Sequence, residues 1–563
     1  MGQGLLQIGL TLAVVLIITP IFGKYIANVF TGKTTLLDKV MNPLERVIYK
    51  LADVNPQDNM TGREYGYSLL QSNLFIGILV FLLITIQKIL PWNPNHFGAP
   101  RWDLTLHTTI SFLTNTGQQH YLGEKTISHF SSMAGLTFLM FISAATGLAV
   151  GIAFIRGLTG KPLGNYYVDL IRGITRILLP ISIIGAMVFL AQGVPQTLSA
   201  PLSVETLEGR TQYIATGPVA SFEIIKLLGA SGGGFFGANS AHPFENPNII
   251  TNLIGIIAMM SIPAAMIFVY GAFSNNIKQA WQLFWLISIV FIFLVWITAN
   301  GEFQGNPLVN SNLRFEQITP NLEGKEVRFG WAQTALWAVI TTATMNGAVN
   351  GMHDSLMPTG GFSTLLSMFL QVIWGGIGTG IVYLLIYQYL TAFWAGLMIG
   401  STPEFFGRKI TKISVFLASL VVLIHPIAAL IPSGIALAYP ISLSGISNPG
   451  FHGISQVVYE YISASANNGS GFEGLADNTL WWNLSTAASM LLGRYISVIA
   501  ILLLADTMAR TKPVPVIPAT LKTDTLLFTS LTAIVIFLLS FLIFFPILVN
   551  GPLAEGFRLA AGQ

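Results

Sequence analysis

The sequence predicts an all-α polytopic membrane protein: about ten transmembrane helices, forming four pseudo-fourfold channel-like repeats with one extra helix at each end. Three observations predict it. The chain is 53% hydrophobic and only 9% charged, with a mean hydropathy of +0.66, which is more apolar surface than a soluble domain of 563 residues buries. Apolar runs long enough to cross a bilayer recur along its whole length. Four short glycine-bearing loops also recur: Asn115-Thr116-Gly117, Ser231-Gly232-Gly233, Asn346-Gly347-Ala348 and Asn467-Asn468-Gly469. Their anchor glycines lie about 115, 115 and 122 residues apart, which is a repeat period.

Taken in order, the run from Gly4 to Phe30 is longer than a signal-peptide core and has no small-residue cleavage site, so it reads as a retained helix. Further spans are expected near 65–90, 128–157, 165–192, 247–273, 277–299, 361–400, 412–437, 480–506 and 524–549. The repeat unit is span, short pore helix, glycine loop, span; its first copy is Tyr65–Leu90, Leu104–Leu113, Thr114–Tyr121 and Phe130–Leu158. The implied divisions are an N-terminal helix and loop (1–64), four repeats (65–160, 161–275, 276–405 and 406–510) and a C-terminal helix (511–563).

Charge sets the expected orientation. Lys33, Lys39, Arg46, Lys50 and Arg63 share one loop, and Arg156, Lys161, Lys278, Arg408, Lys409, Lys412, Arg510, Lys512 and Lys522 fall in later turns on the same side. With Lys24, Arg172 and Arg176, about 17 of the 27 lysines and arginines lie there, so those turns are expected to be cytoplasmic. Both termini and all four glycine loops are then extracytoplasmic. A formal charge of +3 without a basic run argues against nucleic acid, and the absence of cysteine excludes disulfides and thiolate chemistry.

A short helix that dips into the membrane and stops exposes its last carbonyls, so it survives only where neighbours or a cavity receive them. Its dipole places partial negative charge at the loop, and four such ends converging favour a cation. Glycine lets consecutive carbonyls aim at one ion. The flanking residues are hydroxyls and amides, including Thr114, Thr344 and Ser470, and no loop carries a carboxylate at its glycine. A monovalent cation is therefore expected rather than a divalent one.

The second loop, Gly229-Ala-Ser-Gly-Gly-Gly-Phe-Phe-Gly-Ala-Asn-Ser-Ala-His-Pro-Phe-Glu-Asn-Pro247, resembles the signature segment of the KdpA family, potassium-binding subunits of Kdp potassium-transporting ATPases. Asn321–Gly330, Ala348–Ser355, Gly396–Glu404 and Ala466–Ser470 support the resemblance, which extends over essentially the whole chain. It implies a member of the superfamily of K+ transporters in the bacterial inner membrane, working with KdpB, KdpC and KdpF among membrane lipid. K+ is then the only metal and the transported ion, no organic cofactor is needed, and ATP is hydrolysed by KdpB, leaving this chain without catalytic residues. The resemblance implies a selectivity filter of Asn115, Thr116, Gly117 and Gln119 in the first loop and Ala230, Ser231 and Gly232 in the second. Met345, Asn346 and Gly347 follow in the third, and Asn467, Asn468 and Gly469 in the fourth. Gln371 and Ser401 stand where a well-known member has glutamate and arginine, and the first loop departs from that member after Thr116. A Trk- or Ktr-like channel or symporter subunit, built on the same four-repeat plan, is the alternative.

Arg494 is a charge well inside a span, so it is expected to face the pore as a positive barrier or to bind helix carbonyls. Trp374-Gly-Gly-Ile-Gly-Thr-Gly380 interrupts a run too long for one crossing, so Gly375, Gly376, Gly378 and Gly380 are expected to break the helix as a candidate gate. Thr31-Gly-Lys-Thr-Thr35 resembles the end of a P-loop but lacks its first glycine and a preceding strand. His242, His353 and His425 lie apart with no second ligand at helical spacing, so they are expected to be structural.

Overall fold

A computed structural model of the chain describes residues 1–312, 320–514 and 522–562. Among them are ten helices long and apolar enough to cross a membrane. The expected run at 361–400 is two helices, Pro358–Leu370 and Thr379–Met398, separated by a buried non-helical stretch at 371–378.

Four shorter helices lie between spans: Trp102–Leu113, Val219–Leu228, Gly330–Ala343 and Phe451–Ala466. Each follows one spanning helix, ends in a glycine loop and precedes another, so the element order runs span, short helix, loop, span four times. In the third copy the last span is the broken one. Gly2–Thr31 precedes the series and Leu526–Leu548 follows it.

Burial separates inner from outer helices. In their most apolar windows, 89% of Ser131–Leu158 and 83% of Ile249–Ser274 is buried within the protein, against 22% of Gly2–Thr31. A helix apolar all round but little buried by its own chain faces lipid, while one covered on every side forms the core. Helix starts follow local chemistry: Thr61 with Glu64, and Asn248 with Thr251, form reciprocal caps that satisfy the first free N–H groups. Two antiparallel strand pairs lie in connections between helices: Leu202–Glu205 with Thr211–Ile214 is exposed, while Glu404–Phe405 with Arg408–Lys409 tucks Phe405 against Tyr389 in the core.

A buried ion pair locks the first repeat to its neighbours. The Arg156 guanidinium donates to both Asp169 oxygens, Nη1 to Oδ2 at 2.6 Å and Nη2 to Oδ1 at 3.0 Å. It also donates to the carbonyls of Leu163 at 2.9 Å and Phe30 at 3.1 Å, while the Tyr65 hydroxyl donates to Asp169 at 3.1 Å. Four segments thus meet at one charge pair. Removing one partner strands the other charge, at a cost of about 3–5 kcal/mol. Arg156→Leu is therefore expected to lower the detergent-solubilised melting temperature sharply, with partial recovery in Arg156→Leu/Asp169→Leu; an unchanged melting temperature in the single variant counts against the clamp.

Candidate cation-binding site

The four short helices end in the same way. The residue two positions before each anchor glycine is left-handed: Asn115 (φ 62°), Ala230 (43°), Met345 (51°) and Asn467 (56°). The next residue donates its N–H five residues back, Thr116 to Ser111, Ser231 to Lys226, Asn346 to Thr341 and Asn468 to Ser463, at 2.8–3.0 Å. This is the six-to-one closure that satisfies a helix's last carbonyls and reverses the chain. Alanine and methionine seldom adopt this conformation, so Ala230 and Met345 are held there by the closure and by their neighbours.

Each anchor glycine is left-handed too, with φ of 69°, 64°, 90° and 101° at Gly117, Gly232, Gly347 and Gly469. A side chain there would collide with a carbonyl of another loop. A Cβ on Gly117 would strike Ser231 O, on Gly347 Asn468 O, and on Gly469 Thr116 O. On Gly232 it would lie 2.6 Å from Asn346 O, 2.7 Å from Thr116 O and 3.3 Å from Asn468 O, one carbonyl from each of the other three loops. The loops therefore close a ring, and the carbonyls preceding the glycines crowd toward its centre.

Asparagine side chains sew the ring together rather than line it. Asn115 Nδ2 donates to the carbonyls of Gly229 (3.1 Å) and Ala230 (2.7 Å), and its Oδ1 accepts from the hydroxyls of Ser231 and Ser143, both at 2.8 Å. Asn346 Nδ2 donates to Lys226 O (3.2 Å) and Leu227 O (2.8 Å), and Asn468 Nδ2 to Thr341 O (2.8 Å). Asn467 Nδ2 reaches Thr116 Oγ1 at 3.0 Å and closes the circle. All four junctions between adjacent loops carry an amide.

Two cavities flank the ring. The larger, about 290 Å³, has Gly117, Gly233, Gly347 and Gly469 among its lining and is rimmed by Glu460, Glu473 and Asp477. Gln119 lines it as well, accepting from Gly234 N–H at 2.7 Å. The smaller, about 30 Å³, lies on the other side among Asn115, Met345 and Asn467, with Gln371, Tyr383 and Arg494 on its far wall. Arg494 sits in a π-helical turn, Leu492–Ile496, donates to Ser143 O at 3.1 Å, and has no carboxylate partner among the described residues.

The break beneath the ring is tightly packed. Gly375 (φ 61°) and Gly378 (φ 76°) are left-handed, whereas Gly376 and Gly380 are not, and Gly380 already belongs to the following helix. Gly375 N–H donates to Ala343 O at 2.9 Å, tying the break to the third short helix. Cβ atoms on Gly147 and Gly151 would lie 2.6 Å from Ile377 O and Gly378 O, so the neighbouring helix also depends on glycine here. Ser401 lies apart from both cavities, bonded to Gly396 O at 3.3 Å.

Sequence reasoning missed two buried groups around the ring. Lys226, in the second short helix, is fully buried and pairs with Glu223 at 2.6 Å, with Glu245, and with Asn239 Oδ1 at 2.7 Å. A lysine in an apolar short helix was the visible signal. The second group is His120, three residues after Gly117, which faces Glu460 at 3.1 Å and Asp477 at 3.7 Å. Burial opposes its charge, but the two carboxylates prevail and raise it to about 9. Among the described residues His242, His353 and His425 join no such cluster of ligand atoms.

Residues 9–557 match the family model KdpA, potassium-transporting ATPase A subunit. The chain is 68% identical over 563 residues to a potassium-transporting ATPase potassium-binding subunit from Nostoc sp., with 100% of both chains covered. It is 45% identical over 552 residues to the subunit of the same name from Clostridium acetobutylicum, covering 98% of this chain and 99% of that one. The crystal structure of the potassium transporter TrkH from Vibrio parahaemolyticus aligns with 74% of this chain and 82% of that one, at 14% identity and a TM-score of 0.48. With nearly its full length matched, the chain belongs to the KdpA family of potassium-transporting ATPase A subunits.

Proposed function

We propose that the ring of four loops is a potassium-selective filter, and that the chain takes K+ from the extracytoplasmic side and passes it to KdpB, a P-type subunit that hydrolyses ATP. The observation that carries this reading is the crowding of three carbonyls, from three repeats, around the missing Cβ of Gly232. Carbonyl oxygens held this way replace an ion's hydration shell without adding charge, which suits a monovalent cation. The names of the relatives support potassium as that cation. The larger cavity, with its acidic rim, is then the outer mouth, consistent with the cytoplasmic assignment of the basic turns.

In this reading the chain selects and does not hydrolyse, working with KdpB, KdpC and KdpF, with both termini outside and the four repeats as its functional divisions. The filter comprises the carbonyls and glycines of the four loops, while Asn115, Asn346, Asn467 and Asn468 fix their spacing. Arg494 is a positive floor that discourages direct passage to the cytoplasm, and the break at 371–378 is the gate beneath the filter. Family membership favours this over a Trk- or Ktr-like subunit.

Competition among K+, Rb+, NH4+ and Na+ in the ATPase activity of the purified complex tests the reading; equal stimulation by all four overturns it. Gly232→Ala pushes three carbonyls outward and is expected to weaken the apparent K+ affinity by at least about tenfold, a difference of about 1.4 kcal/mol, and to narrow discrimination against Na+. Unchanged affinity and selectivity remove Gly232 from the filter. Arg494→Ala is expected to leave ATP hydrolysis running while vesicle uptake per ATP falls; wild-type coupling assigns the guanidinium to packing alone.

A further inference from the structure

His120, Glu460 and Asp477 come from the first loop, the fourth short helix and the fourth loop, and each presents one ligand atom within 4.8 Å of the others. The imidazole is held in one orientation by a chain of hydrogen bonds. Arg101 donates to Asp103 at 2.8 and 3.1 Å, Asp103 accepts from Asn483 Nδ2 at 2.9 Å, and Asn483 Oδ1 lies 2.7 Å from His120 Nδ1. Because the Asn483 NH2 is committed to Asp103, its oxygen faces the ring and Nδ1 donates to it, while a bound metal ion would replace the proton on Nε2. Nε2 is left pointing at two carboxylates, 3.1 Å from Glu460 Oε1 and 3.7 Å from Asp477 Oδ2. A histidine fixed through one nitrogen, with the other aimed at acidic oxygens, is the arrangement that outer-shell partners impose on a metal-ligating imidazole.

The spacing suits a small ion. Four ligands at about 2.0–2.1 Å from a tetrahedral Zn2+ are about 3.3 Å from one another, and the two His–carboxylate separations bracket that value. One nitrogen and two carboxylate oxygens form a zinc-type set and leave a fourth position for water. Gln118, 2% exposed, donates to Glu460 through Nε2, and the buried His107 ring stacks on His120 with ring centroids 3.9 Å apart. Asp477 retains 28% of its side-chain exposure and lines the 290 Å³ cavity, so the cluster is reachable from that cavity.

We propose that His120, Glu460 and Asp477 form a binding site for a zinc-class divalent cation at the rim of the larger cavity. The site bridges the first and fourth repeats, and Gln118, which contacts Glu460, directly follows Gly117. A bound ion draws Glu460 away from Gln118 and adds positive charge beside the ring, so occupancy weakens potassium binding. The binding site stands on its own geometry; the effect on potassium rests on the filter reading above.

The test is Zn2+ alone, titrated into the purified complex and followed by calorimetry and by competition with a fluorescent zinc chelator, alongside K+-stimulated ATPase activity. The expected result is a saturable site whose affinity falls by about tenfold or more in both His120→Gln and Asp477→Asn, as loss of a ligand requires. Asp477 is partly exposed, so its variant keeps the test decisive if the buried histidine variant does not fold. Inhibition by Zn2+ is expected in the wild type and is relieved in Asp477→Asn, each protein being compared with its own zinc-free activity. Equal zinc affinity in wild type and Asp477→Asn, or no saturable binding up to millimolar zinc, overturns the site. Binding that depends on Asp477 but leaves potassium stimulation unchanged overturns the effect on potassium and leaves the metal site standing.

Discussion

Four helices that stop short of crossing impose the constraint on which the rest of this structure depends. In an apolar surrounding every backbone carbonyl at their ends needs a donor or a cavity, because water cannot be assumed there. Part of the demand is met within each loop, by the N–H that returns five residues. In the second and third short helices amides from the adjoining repeat meet more of it: Asn346 covers Lys226 O and Leu227 O, and Asn468 covers Thr341 O. The second and third short helices are therefore not complete alone. In the ring the four pre-glycine carbonyls, of Thr116, Ser231, Asn346 and Asn468, crowd against the anchor glycines of neighbouring loops.

That dependence explains why the spacing of the four glycines was legible while their surroundings were not. A left-handed residue that lets another backbone approach closely calls for glycine whatever the neighbours are, so Gly117, Gly232, Gly347 and Gly469 mark the chain at a regular interval. The preceding left-handed positions carry no such mark. Asn115 and Asn467 suit that conformation, but Ala230 and Met345 do not, and only the assembled ring holds them there. The ten spans were legible from apolar length, and the break at 371–378 from a run too long for one crossing. Lys226 and Glu223 were neighbours at helical spacing, but Glu245 joins them through a fold-back that periodicity does not reveal. His120 meets Glu460 across 340 residues, a contact that exists only because the fourth repeat closes against the first.

The pseudo-symmetry is functional only in part. The pre-glycine residues are threonine, serine, asparagine and asparagine, so the backbone repeats while the side chains do not. Behind the second loop, Lys226 with its two glutamates stiffens the Gly-Gly-Gly-Phe-Phe segment, and Glu245 Oε1 also accepts from Phe236 N–H at 2.8 Å. The first and fourth loops are instead braced by His120, Asn483 and Glu460. A buried charge needs a complete set of partners to be tolerated, so each network fixes its loop more firmly than apolar packing does. The ring thus carries different supports at different corners, and a disturbance at one corner is not equivalent to the same disturbance at another.

The floor beneath the ring completes the physical picture. The cavity there is about 30 Å³, room for about two waters at most and too little for a hydrated cation. Its far wall carries Arg494, whose charge is met by the Ser143 carbonyl and by no carboxylate among the described residues. On the reading proposed above, a cation arriving through the filter meets an uncompensated positive charge in a space that cannot hydrate it, so electrostatics and volume both oppose the straight path. Besides the loop residues Asn115, Met345 and Asn467, the lining includes the break at 371–378, where Gln371 and Trp374 join Gly375 and Gly378 in the left-handed region. That segment packs against Gly147 and Gly151, where backbone meets backbone. Small shifts at such a contact are either blocked or passed on whole, so the break and the helix Ser131–Leu158 move together or not at all.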